Sequence, residues 1–204
     1  MARSQTRFRV PFSSHFWEPV AIAPLERAKA KGKMATSLFL GGARSGKSRL
    51  AQAAMEALPG PWTYVATAQG WDDEMADRIA RHRADRGAGW RTVECPLDLS
   101  NAIRHAEGAM LVDCLTLWLT NVMLGGHDVA RYSADLIAAI RAARHPLMLV
   151  SNEVGMGIVP EHPLGRAFRD EAGRLNQAVA AAVDRTWFVV AGLVLALERF
   201  DPAA

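Results

Sequence analysis

Gly41-Gly42-Ala43-Arg44-Ser45-Gly46-Lys47-Ser48 fits G-x-x-x-x-G-K-[ST] at every specified position. An apolar run, Ser37-Leu38-Phe39-Leu40, precedes it, and a string of helix formers from Arg49 to Glu56 follows. The motif therefore has the strand–loop–helix setting that phosphate binding requires. Glycines at 41, 42 and 46 are expected to carry the backbone through positive φ and bring its N–H groups against phosphate oxygens, at the positive end of the following helix. Lys47 supplies a point charge for the β- and γ-phosphates, and the Ser48 hydroxyl is placed for a bridging Mg²⁺. Gly41, Gly42, Ala43, Arg44, Ser45, Gly46, Lys47 and Ser48 are thus the candidate nucleotide-binding residues, with Lys47 catalytic and Ser48 a metal ligand.

Outward from the loop, strands alternate with helices. Trp62–Thr67 reads as a strand, and Asp72-Asp73-Glu74 opens a helix with favourable i,i+4 pairs (Glu74 with Arg78, Asp77 with Arg81) that ends near Arg86-Gly87. Strands are expected at Trp90–Cys95, Ala109–Asp113, Pro146–Ser151 and Thr186–Ala191, with helices at Leu97–Ala106, Leu115–Leu124, Val129–Arg144 and Leu164–Asp184. Near-continuous apolar strands separated by helices predict an α/β fold of the phosphate-loop NTPase type, a mostly parallel sheet with helices on both faces. Ligands then bind beyond the carboxyl ends of the strands, where Gly41, Thr67, Asp113 and Ser151 fall.

Half the 204 residues are hydrophobic, enough for one well-buried domain. Residues 1–34 carry seven basic and two acidic side chains, a net +5, whereas the other 170 carry 17 and 19, a net −2. The basic balance belongs to the extension, so it is no argument for nucleic-acid binding. Residues 1–34 read as a disordered extension and 35–204 as a single nucleotide-binding domain. Met34 stands just before the first strand, so translation is expected to begin there; a native N-terminal peptide from before Met34 would overturn that. No run approaches the ~18 apolar residues of a membrane span. Cys95 and Cys114 are expected to be small buried hydrophobes, which fits a reducing cytoplasm.

Asp113 ends a buried strand, the position of a Mg²⁺-associated carboxylate in phosphate-loop enzymes; its alternative is to cap the helix behind it. His82 shares the face of Met75 and Ile79, and position alone makes it a core histidine, as for His15, His105, His127, His145 and His162. Glu153, in the loop Asn152-Glu153-Val154-Gly155-Met156-Gly157-Ile158-Val159-Pro160, is either a turn residue or a second metal-associated carboxylate or general base. Arg166 with Asp170, and Asp170 with Arg174, are spaced as exposed helix pairs.

Four blocks carry a wider likeness: GGARSGKSRLA at 41–51, YVATAQGWDDEMADRIARHRADR at 64–86, LVDCLTLWLTN at 111–121 and VSNEVGMGIVPEHPLGRAFRDEAGRLNQ at 150–177. Through them the chain resembles the bifunctional adenosylcobinamide kinase/adenosylcobinamide-phosphate guanylyltransferase family of cobalamin biosynthesis. The resemblance implies that ATP or GTP phosphorylates adenosylcobinamide, and that GMP from GTP then passes through a guanylyl-histidine to give adenosyl-GDP-cobinamide. It puts the reactive histidine at His82 and further GTP contacts at Ala66, Thr67, Ala68, Arg83, Ala84, Asp85, Arg86, Glu94 and Asp113. Some relatives have a second histidine where this chain has Arg81. The resemblance also implies a homotrimer. The competing readings are a phosphate-loop kinase without guanylyl transfer and a nucleotide-dependent switch or binding protein.

Overall fold

The computed structural model of the chain describes residues 36–68, 87 and 89–198. The basic extension and the helix expected from Asp72, with its ion pairs and His82, lie outside the described residues. Seven strands form one sheet in the order β3-β2-β4-β5-β1-β6-β7. They are β1 (Thr36–Gly41), β2 (Trp62–Ala66), β3 (Trp90–Glu94), β4 (Ala109–Asp113), β5 (Leu147–Asn152), β6 (Arg185–Val190) and β7 (Leu193–Leu197). All neighbours are parallel except β6 and β7. The described helices are α1 (Lys47–Glu56), α2 (Leu99–Arg104), α3 (Leu115–Leu124), α4 (Val129–Arg141) and α5 (Pro163–Ala182).

Strand alternation sorts the apolar residues onto two faces. Phe39, Tyr64, Leu111, Met148 and Val150 pack with Ala51, Ala54 and Met55 of α1. Leu38, Val65, Val112 and Leu149 face the other way, against Leu99, Trp118, Leu136, Leu175 and Val179 of α2 to α5. Helices cover both faces, as the apolar strands require. Cys95 and Cys114 are both free and buried, one in each cluster.

Helix ends differ from the sequence reading where a side chain or cap competes for the backbone. Asp98, whose carboxylate accepts from Asn101 N–H at 3.3 Å, caps α2 two residues late, while the Leu97 carbonyl accepts from Trp118 Nε1 at 2.7 Å. α4 stops at Arg141 in a tightened turn, with Ala143 N–H bonding Ile140 O at 3.2 Å. α5 starts on Pro163, the favoured first position for proline. It ends before Asp184 because that residue clamps the start of β1, its carboxylate accepting from Thr36 N–H (2.9 Å) and Oγ1 (3.0 Å). The i,i+4 pairs expected on α5 give way to others. Arg166 donates to the Pro160 and Glu161 carbonyls, Arg169 pairs with Asp170, and Arg174 with Glu171.

β7 was not expected. Ala191 (φ 52°) and Gly192 (φ 79°) form a two-residue turn with both φ values positive, as a type I′ hairpin needs. Alanine is a poor signal for that conformation, so the run to Ala191 reads as one strand with nothing after it. β7 is exposed along its whole length, including Leu193, Leu195 and Leu197.

Candidate active site

The loop leaves β1 at Gly41 and enters α1 at Lys47. Its glycines serve three different ends. Only Gly46 has positive φ, at 96°. Gly41 is required by proximity, since a Cβ there would lie 2.2 Å from Val189 O on β6. Gly42 has neither constraint, and the second left-handed residue of the loop is Arg44 (φ 56°). The expectation of positive φ at all three glycines is therefore corrected to Gly46 alone.

α1 opens on Gly46 without a side-chain cap and with no acidic residue in its first turn. With no carboxylate in that turn, the positive end of the helix dipole favours an anion there. Lys47 is buried at 7% exposure, and its Nζ donates to Gly42 O at 3.0 Å, folded back over the loop. Ser45 Oγ is buried without a hydrogen-bond partner, a cost that an incoming oxyanion would relieve. Gly192 N–H donates to Ser45 O at 2.8 Å, so the β6–β7 turn holds the loop from behind.

Asp113 ends β4 on the α1 face, two residues after Leu111. Its Oδ2 accepts from the Tyr64 hydroxyl at 3.0 Å. Cys114, not Asp113, occupies the cap position of α3, and no side chain bonds there, so the capping alternative for Asp113 falls away. Tyr64 was not singled out from the sequence, although its parity with Ala66 on β2, in register with Asp113, carries the signal. Burial, and then the Asp113 charge, push the Cys114 thiol up to about 11. At neutral pH it stays protonated and is no nucleophile.

Thr67 and Ser151 reach the ligand-side edge of the sheet but turn inward. The Thr67 side chain is fully buried; its hydroxyl donates to Cys114 O at 2.7 Å and accepts from Cys114 N–H at 2.8 Å. Asn121 Nδ2 closes the same corner on Thr67 O (2.8 Å) and Pro96 O (3.0 Å). Ser151 faces the opposite side of the sheet from Asp113 and donates to Asn176 Oδ1 at 2.7 Å. Thr67 thus shapes the Asp113–Cys114 turn, and Ser151 locks β5 to α5; neither side chain is open to a ligand. Ala66 is buried, Ala68 half-buried, and Glu94 exposed at the end of edge strand β3.

Glu153 begins the loop after β5, its N–H bonding Gly41 O at 3.0 Å. Its carboxylate accepts from Gly155 N–H, the turn arrangement the sequence left open. His82, Arg83, Ala84, Asp85 and Arg86 lie outside the described residues. Among the described residues, no three His, Cys, Asp or Glu side chains gather as a metal cage. No helix among them is long and apolar enough to cross a membrane.

The sheet order, the loop and the carboxylate on its face together define a phosphate-loop nucleotide-binding α/β protein. The family described as cobinamide kinase / cobinamide phosphate guanyltransferase (CobU) matches residues 37–197, and the chain belongs to that family. It is 47% identical over 167 residues to the bifunctional adenosylcobalamin biosynthesis protein CobP of Pseudomonas aeruginosa, covering 79% of this chain and 96% of that one. CobU of Salmonella typhimurium is 45% identical over 174 residues, covering 76% and 96%. CobU of Escherichia coli is 46% identical over 178 residues, with the same coverage. Among solved structures, the Brucella suis VirB11 ATPase in complex with sulphate aligns over 89% of this chain and 52% of its own, at TM-score 0.45 and 12% identity, a likeness too slight to bear on function.

Proposed function

We propose that this chain is the bifunctional transferase of its family. It phosphorylates adenosylcobinamide with ATP or GTP, then transfers GMP from GTP through guanylyl-His82 to adenosylcobinamide phosphate, giving adenosyl-GDP-cobinamide. The observation that carries this reading is the family match over residues 37–197, which includes both the phosphate loop and the His82 segment.

In the kinase step the α1 N-terminus and Lys47 hold the triphosphate, and the corrinoid hydroxyl attacks the γ-phosphorus in line, with the nucleoside diphosphate leaving. The Ser48 hydroxyl and the Asp113 carboxylate are hard oxygen donors of the kind Mg²⁺ takes, with phosphate oxygens and water completing the shell. Bound there, Mg²⁺ would neutralise charge on the transferring phosphoryl oxygens. In the second step the neutral His82 imidazole attacks the α-phosphorus of GTP. A P–N bond forms, the bond to pyrophosphate breaks and the ring proton is lost. An oxygen of the corrinoid phosphate then displaces the imidazole from GMP. Arg83, Ala84, Asp85, Arg86, Ala66, Thr67, Ala68 and Glu94 belong to the GTP site in this reading, Thr67 by shaping the turn. Glu153 serves the loop after β5 rather than the metal.

A homotrimer working in the cytoplasm completes the proposal. Exposed Val190, Leu193, Leu195 and Leu197 on the β6–β7 edge support assembly, because a long apolar edge strand invites pairing with another chain.

Adenosylcobinamide incubated with γ-labelled ATP or GTP and Mg²⁺ should acquire the label; if neither nucleotide labels it, the kinase assignment is wrong. Tyr64→Phe removes the hydroxyl from Asp113 Oδ2. It should lower phosphoryl transfer by about tenfold and raise the Mg²⁺ concentration needed for half-maximal rate. An unchanged Mg²⁺ dependence would mean that Tyr64 does not orient the carboxylate.

A further inference from the structure

The loop between β5 and α5 exposes large apolar side chains beside the phosphate loop. Met156 is 80% exposed, Ile158 98%, Val159 56%, and Leu164 in the first turn of α5 58%. Such residues ordinarily face a core, and a cluster of them on one loop marks a binding surface. The loop is braced at both ends. Glu153 N–H bonds Gly41 O at 3.0 Å, and the Glu153 carboxylate holds Gly155 N–H. At the far end Arg166 donates to the Pro160 and Glu161 carbonyls, and Pro160 lies so close to α5 that a Cβ on Gly165 would meet it at 2.9 Å. Val154 packs into the core below. Hydrogen bonds to the backbone hold the segment, and Met156, Ile158, Val159 and Leu164 are left exposed on it.

Position selects the occupant. Asn152, the last residue of β5, is in register with Gly41, the first residue of the phosphate loop. The apolar loop therefore begins beside the phosphate loop, at the edge of the sheet where the proposed triphosphate site lies. A cobinamide is a wide ring that bears methyl groups among the amide arms of its rim, with the reacting hydroxyl at the end of one such flexible arm. We propose that Met156, Ile158, Val159 and Leu164 form the platform on which the corrin ring rests while that arm reaches the γ-phosphate. The assignment rests on the transferase reading and gives that site its acceptor-binding surface.

The test is steady-state kinetics of the full-length protein with adenosylcobinamide and ATP, comparing wild type with a Met156→Ser, Ile158→Ser double variant and with Ile158→Leu. Both residues are exposed, so the thermal midpoint should not move. The double variant should raise KM for adenosylcobinamide at least about tenfold, the loss expected when two buried apolar side chains are removed from a contact. Its KM for ATP, its kcat at saturating corrinoid and its labelling by α-labelled GTP without corrinoid should stay within about twofold. Ile158→Leu should keep corrinoid KM near the wild-type value. An unchanged corrinoid KM in the double variant overturns the proposal while leaving the transferase reading intact. So does a change in sedimentation coefficient, which would make the loop an interface between copies, or a fall in corrinoid-independent labelling, which would assign it to the nucleotide. A wild type that neither phosphorylates nor binds adenosylcobinamide removes the transferase reading and the platform with it.

Discussion

Lys47→Ala should reduce phosphoryl transfer to adenosylcobinamide by about a thousandfold or more. Lys47 is the first residue of α1, 7% exposed, and holds its ammonium 3.0 Å from Gly42 O, over the loop that receives the phosphates. A group so confined spends little freedom when the transition state forms, and its charge acts in a partly dehydrated site where it counts for more than in water. The same substitution should weaken guanylylation, since in the proposed reading the loop cradles the triphosphate in each reaction. Lys47→Arg should recover little, because a forked guanidinium does not replace a compact point charge in a closed loop. The measurement is kcat/KM for each half-reaction beside a thermal melt. A folded Lys47→Ala protein with phosphoryl transfer within tenfold of wild type would show that the loop does not hold the γ-phosphate.

His82→Ala should separate the two activities. Phosphorylation of adenosylcobinamide should persist within a few-fold, because the proposed kinase step does not use the imidazole. GMP transfer should fall by about a thousandfold or more, since a covalent route loses its nucleophile outright. The competing thiol is disqualified by its surroundings: Cys114 lies buried with its pKa at about 11. Equal losses in both activities would mean that His82 supports the nucleotide site in general rather than carrying GMP.

What the sequence disclosed depended on whether local pattern or tertiary placement set each feature. The β1–loop–α1 unit was legible because backbone approach and helix electrostatics demand particular residue types at fixed spacing. The place of Asp113 was legible because four apolar residues mark a buried strand and the carboxylate closes it, although its role was open between a metal-associated carboxylate and a helix cap. Strand parity, by contrast, depends on register. Ser151 and Thr67 stand at the ligand edge by position, yet each turns its hydroxyl into the fold, to Asn176 and to Cys114. Gly41 is small for Val189 on a strand far away in sequence, a need no local turn rule conveys. β7 stayed hidden because its turn places Ala191 at φ 52° and its side chains do not alternate between buried and exposed. For His82, which lies outside the described residues, helix position pointed to a core residue and only the family resemblance implied a reactive one.

The most direct test of the account is to incubate the wild-type protein with Mg²⁺ and α-labelled GTP, isolate it and then add adenosylcobinamide phosphate. The account predicts protein-bound label that is acid-labile and alkali-stable, absent with γ-labelled GTP and absent in His82→Ala, and discharged onto the corrinoid on addition. A wild-type protein that takes up no such label, or whose label does not pass to adenosylcobinamide phosphate, would contradict it.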